Sequence, residues 1–170
     1  IYVYATFFIL LAFAFFGDWS KQRGVVSALE GVGFVLAIFG CIVLHELGHA
    51  LSAARFGIKT RDITLLPIGG VARMERIPEQ PRQELWVALA GPAVNVIIAA
   101  LVFSGLQLSH CYVPIEKLTP NDVPFWQRLL IVNVFLELFN LLPAFPMDGG
   151  RVLRALLATR LDYVRATQIA

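Results

Sequence analysis

Apolar positions gather into four long runs separated by polar stretches, and the runs are too long and too evenly apolar for one-sided surface helices. A helix needs about 20 mostly apolar residues to cross a bilayer. The runs are Ile1 to Phe16, closed by Gly17-Asp18; Leu29 to Ala54; Glu84 to Ser109; and Phe125 to Leu142. A fifth helix is predicted to begin at Gly150. Between the second and third runs, Thr60 to Leu66 reads as a strand, Pro67, Gly69 and Gly70 mark a turn, and Val71 to Met74 reads as a returning strand. His110 to Pro124 contains three prolines and reads as an exposed connector. The predicted fold is an all-α integral membrane bundle of four transmembrane helices plus the start of a fifth, with a small β-hairpin between the second and third helices.

Composition supports a lipid environment. Hydrophobic residues make up 58% of the 170 and charged residues 15%, with a mean hydropathy of +0.71. A soluble domain averages about 25% charged and about 45–50% apolar residues. The chain starts at Ile1 inside an apolar run and stops at Ala170 inside a predicted helix, so 1–170 reads as a single membrane-embedded core cut from something longer. The first run lacks the basic flank and cleavage pattern of a signal peptide. Cys41 and Cys111 lie in or beside apolar runs and read as small apolar filler. The net charge of +2 gives no case for nucleic acid.

The distribution of charge says more than its sum. Six Lys or Arg residues lie from Arg55 to Arg82 and four after Met147, against Lys21 and Arg23 in one other loop and Lys117 in another. Cytoplasmic loops collect Lys and Arg, and four spans put both basic segments on one side. The second helix then runs from outside to inside, with its polar end nearer the cytoplasm.

That polar end is His45-Glu46-Leu47-Gly48-His49. Residues four apart share a helix face, so both imidazoles can reach one ion. A catalytic zinc takes three protein ligands and keeps one position open for water. Glu46 is placed to take a proton from that water, whose pKa the metal lowers. The bland reading is a surface helix with scattered polar residues, but ionisable groups inside a membrane helix are costly and usually functional. The best third ligand is Asp148, in a segment that Pro143, Pro146, Gly149 and Gly150 keep irregular. Irregular backbone at membrane depth survives only when it is buried in protein or lines a wet cavity. Asp148 could also serve as the N-cap of the next helix, a compatible role. Cys41, one turn before His45, would close the water position if it bound, so it reads as structural.

Three motifs together resemble the site-2 proteases, intramembrane zinc metalloproteases, and most resemble the archaeal and bacterial members with a compact core. His45-Glu46-Leu47-Gly48-His49-Ala50 resembles the zinc helix, Gly91-Pro92-Ala93-Val94-Asn95 the Gly-Pro-x-x-Asn element, and Asn140 to Gly150 the segment whose Asp is the third ligand. The resemblance implies one zinc per chain on His45, His49 and Asp148, with Glu46 catalytic and Asn140 holding substrate or intermediate. It also implies a hairpin from Leu65 to Met74, including Gly69 and Gly70, that pairs with an unwound substrate strand. Transmembrane proteins, such as membrane-anchored regulators, are the implied substrates, and a prokaryotic plasma membrane the implied location. Any closing helices or regulatory CBS pair would lie beyond Ala170.

Glu137 departs from the family pattern, standing where an apolar residue is usual. It is expected to line a water path, pair with Arg128 or Arg151, or face a polar pocket near the membrane surface. Gly48, Gly91 and Ala93 are expected to allow close helix contact, and Trp86 and Trp126 to sit in the interfacial aromatic belt. Two other functions fit less well. A non-catalytic scaffold has no reason to keep His45, Glu46, His49 and Asp148 together, and a metal transporter needs polar residues along a route rather than one cluster.

Overall fold

A computed structural model describes residues 2–3, 5–20, 24–66, 69–75, 80–114, 118, 123–144 and 146–170. The order is β1 (Tyr2–Val3), α1 (Ala5–Ser20), α2 (Gly24–Arg55), β2 (Thr60–Leu66), β3 (Gly69–Met74), α3 (Pro81–Leu108), α4 (Phe125–Asn140), α5 (Asp148–Leu157) and α6 (Tyr163–Ile169). Helix and a small sheet are both as expected, but several boundaries differ. Among the described residues, α2 and α3 are the helices long and apolar enough to cross a membrane. The first run opens with strand β1, which pairs in parallel with β2, and α1 keeps 16 residues. Helix α4 also has 16 residues and stops at Asn140, because Pro143 disfavours helix at the residue before it. The last helix begins two residues earlier than predicted, at Asp148, ends at Leu157, and is followed by α6.

Gly69 and Gly70 are not in the turn. They open β3, paired with Leu66 and Leu65 across the antiparallel ladder. The turn residue Pro67 lies outside the described residues, as do Lys21, Arg23 and Lys117 of the sparsely basic loops.

Local chemistry ends the two long helices cleanly. At the end of α2, Gly57 takes φ +69, its N–H donates to Ala54 C=O, and the Ile58 N–H donates to Ala53 C=O. This is a Schellman cap, with Ile58 packing back on Ala53. Those two residues form a core with Val87, flanked by Phe56 and Met74, that fixes the sheet against α2 and α3. Helix α3 starts with Pro81, whose missing N–H costs nothing in the first turn. Its last residue is Leu108, and beyond it His110 takes φ 54 in the same kind of cap: the N–H groups of His110 and Cys111 donate to the carbonyls of Gln107 and Leu106. His110 is therefore a helix stop, exposed, and among the described residues it is not part of a group that could hold a metal. Cys41 is buried as expected, whereas Cys111 is exposed.

Close approach of α2 and α3 follows from Gly48, where a Cβ would sit 2.7 Å from Ala90 O. Ala93 is exposed and takes no part. Phe7 of α1 meets Phe39 of α2 edge-on at 4.5 Å, and Arg128 of α4 lies 3.9 Å over the Phe34 ring of α2. Large apolar side chains point outward on all four long helices, among them Phe13, Leu101 and Phe135. Trp86 and Trp126 are exposed near the starts of α3 and α4, as belt residues would be. Such a surface is suited to lipid rather than water.

Candidate metal centre

His45 and His49 lie one turn apart on α2, and both are buried. Asp148 reaches them from the first residue of α5. Met147, not Asp148, occupies the N-cap position of that helix, and it makes no side-chain cap bond. The expected capping role is therefore absent, and the carboxylate is turned inward. Asp148 Oδ2 lies 2.9 Å from His45 Nε2 and 3.0 Å from His49 Nε2, and the two nitrogens are 3.1 Å apart. These three residues form a group that can hold a metal ion.

The donor set fits zinc. Two ring nitrogens and a carboxylate oxygen this close repel one another unless a proton or cation stands between them. Tetrahedral zinc, with bonds of about 2.0–2.1 Å, holds neighbouring donors about 3.3 Å apart, close to this triangle. Room for an ion is also present. A Cβ at Gly91 would lie 2.3 Å from His49 Nε2 and 2.6 Å from His45 Nε2, so the bare glycine leaves an atom-sized space in front of both.

Neighbouring groups aim these donors. His49 Nδ1–H donates to Val87 C=O at 2.7 Å, which fixes the tautomer and leaves the Nε2 lone pair free for a metal. Asp148 lies beyond the end of α4. Arg151, one turn on, stands 3.6 Å from its other oxygen.

The remaining expected site residues are placed differently. Glu46 is buried on α2 beside His45. Asn140 is half-buried at the end of α4, and among the described residues no hydrogen bond joins its side chain to the triangle. Gly69 and Gly70 belong to the sheet, away from the triangle in sequence and element. Cys41 is not part of the metal group. Glu137 pairs with neither Arg128 nor Arg151; it accepts a hydrogen bond from Asn95 Nδ2 at 2.9 Å. Sequence reading missed one support altogether. Buried Arg154 of α5 donates through Nε to Glu84 of α3 at 2.8 Å, with Nη2 on the same oxygen, and this pair holds α5 against α3. An Arg and a Glu seventy positions apart carry no signal along the chain.

Comparison with known proteins agrees with the geometry. Peptidase family M50 matches residues 33–121 and 116–170. A zinc metalloprotease of Methanocaldococcus jannaschii is 43% identical over 85% of the chain, and stage IV sporulation protein FB of Bacillus subtilis is 27% identical over 79%. The chain spans 40% and 44% of the length of these two relatives. The solved site-2 protease from Methanocaldococcus jannaschii superposes with a TM-score of 0.67 at 37% identity, over 99% of this chain and 71% of that one. With the family match running through α2, α3 and the Asp148 segment, and a homologous fold around the same helices, the chain belongs to peptidase family M50.

Proposed function

We propose that the chain is the catalytic core of an intramembrane zinc metalloendopeptidase that cuts membrane-anchored proteins within or near their transmembrane segments. The observation that carries this reading is the convergence of His45, His49 and Asp148 within bonding range of one ion, on helices whose outer faces suit lipid. His45, His49 and Asp148 would hold the zinc, which when bound polarises a carbonyl and makes a water acidic.

The chain's own residues supply the rest. Glu46 takes a proton from the attacking water and returns it to the departing amine as the peptide C–N bond breaks. Asn140, at the mouth of the irregular segment, holds substrate. Strand β3 is at an edge of the sheet, and among the described residues no strand pairs with its outer side. An unwound substrate segment can add there through backbone hydrogen bonds, starting at Gly69 and Gly70. The basic stretches on either side of the site favour a cytoplasmic-facing active site in a prokaryotic plasma membrane.

The test is cleavage of a single-span membrane substrate by purified protein in detergent or liposomes. Glu46→Gln is expected to lower kcat by about 100-fold or more, in line with the usual weight of a general base, while leaving zinc content unchanged. Full activity in the Gln variant would remove Glu46 from the mechanism.

A further inference from the structure

His45 and His49 are not equally supported. His49 has its Nδ1–H satisfied by the Val87 carbonyl. His45 Nδ1 is buried and has no hydrogen-bond partner. If Nε2 of His45 faces a metal, Nδ1 must carry the proton, and a buried N–H without an acceptor is costly. One acceptor is in reach: Glu137 Oε2 stands 3.7 Å from His45 Nδ1, across the interface of α2 and α4.

Glu137 is itself buried, with its second oxygen unpartnered. A carboxylate in that position needs a reason, because Val134, Phe135, Leu138 and Phe139 around it on α4 are apolar and exposed to what reads as lipid. Its location is also fixed. Asn95 of α3 donates to Oε2 at 2.9 Å, and Asn133, one turn before Glu137 on α4, donates to the Asn95 carbonyl at 3.0 Å. Helices α3 and α4 thus hold one carboxylate beside the unsatisfied nitrogen of an imidazole on α2. The 3.7 Å gap is longer than a hydrogen bond, so the contact requires the ring to turn toward Glu137.

We infer that Glu137, held by Asn95, is a positioning residue for His45: it accepts the Nδ1–H and so fixes the ring with Nε2 toward the metal. The inference rests on the proposed zinc site. A carboxylate behind a metal-binding imidazole sets its tautomer and raises its basicity, and losing such a partner typically costs about 10–100-fold in metal affinity. Asn95 thereby gains a role that its motif alone does not supply.

The experiment measures zinc affinity of the full chain in detergent by competition with a chromogenic chelator, and the visible spectrum of the cobalt(II)-loaded protein. The variants are Glu137→Gln, which fills the same volume, and Glu137→Leu, which has no acceptor. Affinity is expected to fall about 10-fold in E137Q and toward 100-fold in E137L, with altered cobalt bands in both. A residue that merely fills space would be replaced by Gln with no change in either readout. Parental affinity and an unchanged cobalt spectrum in folded E137Q would overturn the inference while leaving the zinc site standing. Asp148→Ala runs alongside as the control for that site. A folded parent that takes up no zinc would overturn the site and the inference together. Where E137L fails to fold, E137Q decides the matter alone.

Discussion

Gly91 shows how much one absent methyl group can matter. In the sequence it reads as a small residue that lets helices approach, and that is true of Gly48, whose neighbour is the Ala90 backbone. At Gly91 the neighbours are the two imidazole nitrogens, so the glycine keeps the space an ion needs. Gly91→Ala is therefore expected to weaken zinc retention by on the order of 100-fold or more, with helix content by circular dichroism unchanged. Zinc retention equal to the parent's would mean that the rings face elsewhere. The shared face of His45 and His49 was legible because a helix repeats every 3.6 residues and residues at that spacing are visible along the chain. Asp148 was legible as a carboxylate just past Pro143 and Pro146, but the irregular backbone expected through Gly150 stops at Met147, and Asp148 opens the regular helix α5. The partners of Gly91 and Glu137 were not legible, since each meets its neighbours only after α2, α3 and α4 pack.

Helices and strands were read well in kind and less well in extent. Apolar runs do not reveal where a strand takes over a few residues, as β1 does, or where a proline ahead ends α4 early. At 1.5 Å per residue, the 16 residues of α1 and of α4 each span about 24 Å, short of the hydrocarbon thickness of about 30 Å. Hairpin glycines that signalled a turn proved to be ladder residues, because turn propensity cannot fix register. The buried Arg154–Glu84 pair ties α5, and with it Asp148, to α3. Glu84 is fully buried, so Arg154→Ala would strand a charge there. The expected cost is about 3–5 kcal/mol of stability, seen as a lowered denaturant midpoint, with a weaker hold on zinc because Asp148 loses its anchor. Replacing both residues with leucine should restore most of the stability. A single-variant loss below about 1 kcal/mol would show that the clamp lies elsewhere.

Taken together, the helices form a lipid-facing bundle in which about half of the buried polar groups converge on one place, while the Arg154–Glu84 pair and Gln127 lie apart from it. His45, His49, Asp148, Glu137 and Asn95 come from four different helices, and Gly91 faces the same spot. Polar groups are expensive in such surroundings, and their concentration argues for one site rather than a route through the bundle. That distinction separates a protease from a transporter. The direct measurement is zinc per chain, by elemental analysis of the detergent-purified protein and of Asp148→Ala. About one zinc in the parent and a marked loss in the variant are predicted, because α2 alone supplies two ligands and the third comes from the segment after α4. A folded parent without zinc, or a variant that keeps the full zinc complement, would contradict the account.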